Sequence, residues 1–147
     1  MKEIAVLNGP SLNRLGSREP SIYGYLSLDD INLGLLNIGK TLDTEMSFFQ
    51  SNSEGAFIDH IHYCEGAVDG IILNPGAYAH YSYAIHDAIR SVSIPAVEVH
   101  LSNIHAREEF RRHSVTASAC LGLISGLGPY GYELALLALL NHLKEKA

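Results

Sequence analysis

The chain is short of the groups that mark several broad classes of protein. Lysine stands only at positions 2, 40, 144 and 146, and no Lys/Arg run offsets a formal net charge of −6. A nucleic-acid partner is therefore not expected, because such affinity comes from neutralised phosphates. An anionic small molecule stays open, since the field inside a site can oppose the net charge. Cysteine is scarce. Cys64 and Cys120 are far apart and in no CxxC pattern, and they read as two reduced core thiols of a cytoplasmic protein. The longest apolar run, Leu134–Leu140, is far below the ~20 residues that a membrane span takes. The N-terminus leads directly into a strand-like run, with neither a signal nor a transit-peptide pattern.

What is present is the composition of a soluble globular protein, 47% hydrophobic and 18% charged, with no signature of disorder. No repeat, low-complexity tract or linker divides the 147 residues, so one catalytic-size domain over 1–147 is expected. The pattern alternates strand and helix. Lys2–Leu7 reads as a strand, followed by a Gly/Pro/Asn/Ser-rich loop over Asn8–Tyr25. Ser27 and Asp30 form a capping-box start. Leu28, Ile31, Leu35, Ile38 and Leu42 follow at helical spacing. Met46–Gln50 is a second strand. Ser53 opens a helix with Phe57, Ile61, Cys64 and Val68 in register. Gly70–Leu73 is nearly all apolar, as suits a strand covered on both faces. A helix over about Tyr81–Val92 precedes the strand Ala96–Leu101. A short charged helix is expected over Ile104–Arg112, a last strand near Leu121–Ser125, and a final helix over about Tyr132–Lys144. Five strands alternating with helices predict a three-layer α/β sandwich around a parallel sheet, with the flavodoxin-like order 2-1-3-4-5.

Ligands of such sheets bind beyond the carboxyl ends of the strands. Behind strand one stands NGPSLNRLGSREPSIYG, residues 8–24, long enough to be functional and carrying Arg14, Arg18 and Tyr23. Taken alone it reads as a solvated loop. No GxxxxGK[ST] follows the strand, which excludes a P-loop. Behind strand three, NPGAYAH turns at Pro75 and Gly76, so Asn74 and His80 can face one crevice, and the helix beyond favours an anion at its N-terminus. Asp87 lies two turns after His80 and taken alone reads as an exposed helix carboxylate. On strand four, Glu98 and His100 alternate with Val97 and Val99. Polar groups in a buried strand cost free energy unless partnered, so this pair points to an imidazole oriented by a carboxylate. A satisfied core histidine is the bland alternative. His60 and His62 are i,i+2 on a helix and point apart, so they read as ordinary surface and not as metal ligands.

At these residues the sequence resembles the type II dehydroquinases along nearly the whole chain. The markers are LGSREPSIYG (15–24), FFQSNSEG (48–55), NPGAYAHYSYAIHDAI (74–89), VEVHLSNIHAREEFRRHS (97–114) and GLISGLGPYGY (122–132). The resemblance implies a cofactor-free and metal-free dehydration of 3-dehydroquinate to 3-dehydroshikimate, a step of the shikimate pathway of aromatic amino acid biosynthesis. It implies Tyr23 as the base, with Arg18 on a mobile lid as its electrostatic partner. A phenol ordinarily titrates near ~10, so a neighbouring guanidinium has to favour the phenolate. It further implies that His100 protonates the leaving hydroxyl with support from Glu98. Asn74, His80, Leu101, Ser102 and Arg111 match substrate-binding positions. Asp87 matches a residue given to the adjacent subunit's site in trimers that pack into dodecamers. One position departs. The family's first loop usually reads NGPNL, and here Ser11 takes the place of the asparagine that helps hold the enolate.

Two other readings meet obstacles in the residues. A lysine Schiff base, the type I solution to the same chemistry, has no candidate among four lysines near the termini or on a helix surface. A non-catalytic receiver module would want clustered acids after strand one and a lysine after strand five, where Asn8 and Gly126 stand.

Overall fold

The computed structural model describes residues 1–146. Its five strands are β1 (Lys2–Asn8), β2 (Thr44–Gln50), β3 (Gly70–Asn74), β4 (Ala96–His100) and β5 (Gly122–Ser125). They form one sheet of order β2-β1-β3-β4-β5, every pair parallel, as expected. The helices are α1 (Pro20–Tyr23), α2 (Leu28–Thr41), α3 (Glu54–Cys64), α4 (Tyr83–Ser91) and α5 (Tyr130–Lys146).

The strands alternate between two cores, which is what a sheet covered on both faces requires. On one face Ile4, Val6, Ile72, Val97 and Val99 pack with Ile31 and Leu35 of α2, and with Tyr132, Leu136 and Leu139 of α5. On the other, Ala5, Leu7, Ile71, Leu73 and Ala96 pack with Phe57 and Ile61 of α3 and Ile85 and Ile89 of α4. The Ser27–Asp30 capping box forms, with Asp30 N–H donating to Ser27 Oγ at 3.1 Å and Ser27 N–H to Asp30 Oδ2 at 3.0 Å. α2 lies so close to the sheet that a Cβ on Gly39 would stand 2.7 Å from Met46 Cγ. Leu42 falls at the C-cap of α2, and Val68 lies beyond the end of α3.

Three stretches differ from the sequence reading. Ile104–Arg112 is not one helix. It forms two 3-10 turns, Ile104–Ala106 and Glu109–Arg111, with Arg107 extended between them at φ −116° and ψ −163°. Only Ile104 of the segment is buried, so no apolar face holds an α-helix against the core. The expected Tyr81–Val92 helix starts later, because the Ser82 hydroxyl caps Ile85 N–H, and a separate 3-10 turn spans Gly76–His80. The first loop contains the short α1, which carries Tyr23. Of the two histidines read as surface, His62 is exposed, whereas His60 is half-buried and stacked on Phe49 at 4.0 Å between ring centroids. Both cysteines are free thiols, and burial pushes Cys64 up to about 11.

Candidate active site

Asn8 of β1 pairs with Asn74 at the end of β3, and β4 ends beside them at His100. The loops leaving these strands are drawn together: a Cβ on Gly9 would meet the Pro75 carbonyl oxygen at 2.6 Å, so only glycine allows this approach. Over the strand ends opens a cavity of about 100 Å³. Arg18, Tyr23, Asn74, His80, His100, Leu101, Ser102 and Arg111 all line it, together with Ser11 and Arg107. Glu98 sits behind His100 with no solvent exposure. Asp87 is not among the lining residues; it lies on α4 and is exposed.

Tyr23 is held between two guanidinium groups. Arg107 Nη1 donates to its hydroxyl at 2.6 Å and Arg18 Nη2 at 3.4 Å. The two Cζ atoms lie 5.1 Å and 4.5 Å from the ring centroid. Both guanidinium groups thus donate to the one phenol oxygen. Sequence reasoning points to Arg18 and misses Arg107, although Arg107 makes the shorter bond. The only signal for it is an arginine within a run of charges whose spacing suggests a helix. Arg107 Nη1 also reaches Ser102 Oγ at 3.4 Å. Arg111 donates through Nε to Glu108 Oε2 at 3.1 Å, with its guanidinium 4.7 Å from the Phe110 ring centroid. That pairing holds the Glu108 carboxyl below its usual range.

Across the cavity, His100 Nε2 lies 2.8 Å from Glu98 Oε2. A ring nitrogen facing a carboxylate carries its proton, which leaves Nδ1 as the group free to exchange one. The His80 ring stacks 6.0 Å away, with Nδ1 2.9 Å from the His113 carbonyl oxygen. Nδ1 must therefore be the donor, and Nε2 is the free nitrogen of His80. Burial holds His80 below its ordinary value, against the opposing pull of the His113 carbonyl.

Asn74 is oriented by a buried network that sequence reasoning also misses. Its Oδ1 accepts from Gly76 N–H at 3.1 Å and its Nδ2 donates to Tyr132 Oη at 3.0 Å. Tyr132 in turn donates to Asn8 Oδ1. Tyr132 has no exposure, and burial pushes its hydroxyl well above the usual phenol range. It is a fixed neutral donor. Among the described residues no group of three His, Cys, Asp or Glu side chains is gathered as a metal site. No helix among them is long and apolar enough to cross a membrane.

A phenol between arginines opposite a histidine–carboxylate pair is a set for moving protons on and off carbon and oxygen. The class II dehydroquinase family model matches residues 2–140. The chain belongs to the class II dehydroquinase family. The 3-dehydroquinate dehydratase of Bacillus cereus strain AH187 is 55% identical over 145 residues, covering 99% of each chain. That of Bacillus anthracis strain CDC 684 is 54% identical over the same length and coverage. Among solved structures, the type II dehydroquinase of Butyrivibrio crossotus superposes with a TM-score of 0.93 at 48% identity, covering 94% of this chain and 97% of that one. A 3-dehydroquinate dehydratase-like protein from Bifidobacterium longum is more distant, with a TM-score of 0.75 at 31% identity and coverage of 98% and 99%.

Family membership also frames Ser11, where the expected asparagine is replaced. Ser11 sits at φ 66°, in the left-handed region, with its N–H donating to Asn52 Oδ1 at 2.9 Å. Asparagine tolerates that backbone better than most residues, so the position suits asparagine as well as serine.

Proposed function

We propose that the chain is a 3-dehydroquinate dehydratase that eliminates water from 3-dehydroquinate to give 3-dehydroshikimate, as a cytoplasmic enzyme of the shikimate pathway acting without metal or cofactor. The observation that carries this reading is the Tyr23 hydroxyl under two guanidinium groups, facing the His100–Glu98 pair across one small polar cavity. Tyr23 takes a proton from the carbon next to the ketone. The C–H electron pair becomes a carbon–carbon double bond and the carbonyl pair moves onto the ketone oxygen, giving an enolate that waiting polar groups stabilise without reorganising. The enolate then collapses to the ketone and its carbon–carbon pair shifts one bond on to expel the hydroxyl, which takes the Nδ1 proton of the doubly protonated His100 and departs as water. Arg111 grips the substrate carboxylate as a planar fork. Asn74, His80 and the Leu101–Ser102 segment bind the ring hydroxyls and Ser11 lies at the enolate side.

The whole chain acts as one catalytic domain in this reading, and copies assemble as trimers packed into a dodecamer. Asp87 reaches the adjacent subunit's site, which its exposure on α4 permits. The test is direct. Purified protein and 3-dehydroquinate should give a conjugated enone, seen as rising near-ultraviolet absorbance, with the rate unchanged by chelator and by borohydride added with substrate. No rise in absorbance, or loss under either treatment, refutes the assignment.

A further inference from the structure

Glu98 is the one carboxylate among the buried polar residues described, with no exposure at all. Among the described residues neither Lys nor Arg bonds it. Its only ion-pair partner there is His100, and one imidazole cannot satisfy two carboxylate oxygens that together offer about four acceptor sites. A buried charge left partly unpaired is costly. Two hydroxyls complete the set. Ser114 Oγ donates to Glu98 Oε2 at 2.6 Å, beside the His100 bond, and Thr116 Oγ1 donates to Oε1. Thr116 is itself fully buried. Ser114 Oγ also accepts from Ala117 N–H at 3.1 Å, which turns its single proton toward the carboxylate.

The surroundings leave these hydroxyls little competition. The titratable and charged groups about Glu98 are His100 on its own strand, His80 from the Gly76–His80 turn, and Cys120 behind the Thr116 turn. Arg111 bears on His80. From α4, His86 spends its Nδ1 on the Val115 carbonyl oxygen at 2.8 Å.

We propose that Ser114 and Thr116 are positioning residues of the dehydration, acting on His100 through Glu98. With both oxygens of Glu98 occupied by hydroxyl donors, the carboxylate stays a charged acceptor. His100 therefore keeps its Nε2 proton on Glu98 and presents Nδ1 to the substrate. In the doubly protonated ring, Nδ1 gives its proton to the departing hydroxyl, and the ring is left neutral with Nε2–H still on the carboxylate. Without the hydroxyls, Glu98 is free to turn, and His100 loses both its fixed Nε2 acceptor and its orientation. The proposal rests on the dehydratase reading above.

The experiment compares the parent with Ser114→Ala, Thr116→Val and Thr116→Ser, by steady-state kinetics on 3-dehydroquinate and by imidazole ¹H–¹⁵N spectra without substrate. Valine matches threonine in shape, and Ser114 is only partly buried, so folding should survive either change. Each hydroxyl-free variant should lower kcat about ten-fold with KM within about two-fold of the parent, since proton transfer is impaired and binding is not. Thr116→Ser should restore kcat. The parent should show a slowly exchanging His100 Nε2–H signal, assigned by its loss in His100→Gln. That signal should survive in Thr116→Ser and broaden or vanish in the hydroxyl-free pair. Parental kcat in both hydroxyl-free variants, a fall carried by KM instead, or an Nε2–H signal absent from the parent or unchanged in the variants overturns the proposal. A parent inactive on 3-dehydroquinate overturns the dehydratase reading instead, and the spectra then decide the hydroxyls' role by themselves.

Discussion

Replacing Arg107 by methionine removes the shorter of the two guanidinium bonds to Tyr23 while keeping most of the side chain's length. In the structure that bond is 2.6 Å, against 3.4 Å for Arg18, and the Arg107 side chain is only 13% exposed. A hydrogen bond to a charged group in such a place contributes ~1.5–3 kcal/mol. If it acts fully on the phenolate, its loss lowers kcat by roughly 10- to 150-fold. The fold should tolerate the change, because Glu108 keeps Arg111 at 3.1 Å after losing Arg107 at 3.7 Å. Raising the pH supplies phenolate without help from a guanidinium, so the deficit should narrow in alkaline buffer. Steady-state rates across pH, circular dichroism and binding of an unreactive substrate analogue separate chemistry from folding and affinity. A variant with parental kcat at neutral pH would show that Arg107 does not charge the base. If Arg18→Met were equally silent, Tyr23 itself would have to be abandoned as the base.

Trypsin should cut rapidly after Arg18 in the free protein and slowly with a competitive inhibitor, if the loop before α1 closes over substrate; equal rates would count against a lid. Chains with only Asp87→Ala and chains with only Tyr23→Phe should each be inactive, yet regain activity when unfolded and refolded together. Continued inactivity despite proven co-assembly would keep Asp87 out of the neighbouring site. Ser11→Ala should lower kcat more than it raises KM, and Ser11→Asn, which suits the left-handed backbone, should stay substantially active; a parental Ser11→Ala enzyme would make Ser11 an ordinary loop residue. His80 is held below its ordinary value by burial. The unfolded chain therefore takes up that proton first as pH falls below ~6.5, so stability is complete above that pH and declines beneath it. Urea midpoints at pH 8 and pH 5.5 should differ less in His80→Gln than in the parent.

The sheet order is legible because the strands read as short apolar or alternating runs and α2 and α3 carry helical spacing between them. The α2 stripe from Leu28 to Leu35 and the unbroken apolar run of β3 are set by burial on known faces, which is information that sequence spacing preserves. Boundaries slip where capping decides them, as at Ser82. The segment 104–112 fails for a different reason: its form is dictated by what its side chains reach, not by a face they bury. Arg107, extended between two turns, reaches the cavity, and nothing in a run of charges marks which member turns inward. Ser114 and Thr116 are within reach of reasoning, since a carboxylate on a buried strand demands more donors than one histidine provides. The demand is visible at Glu98, but the donors lie sixteen and eighteen residues downstream, a distance that only the folded chain closes.

The charge distribution joins these observations. The chain is acidic overall, yet of the arginines at 14, 18, 90, 107, 111 and 112, three line the cavity that holds Tyr23 and His100. No lysine does. On the proposed reading the choice fits a site that keeps positive charge at any working pH while a phenol loses its proton and a substrate carboxylate is held in a fixed plane, because a guanidinium does not titrate there and binds in a planar fork. A lysine could be deprotonated by such crowding and would reopen imine chemistry with the ketone. On the opposite wall the single buried carboxylate is offset by a histidine and two hydroxyls instead of a cation. That leaves the histidine free to lose its proton without breaking an ion pair with arginine. On that reading the two walls have opposite electrostatic tasks. One fixes charge so that a base can form, and the other keeps charge mobile so that an acid can be spent.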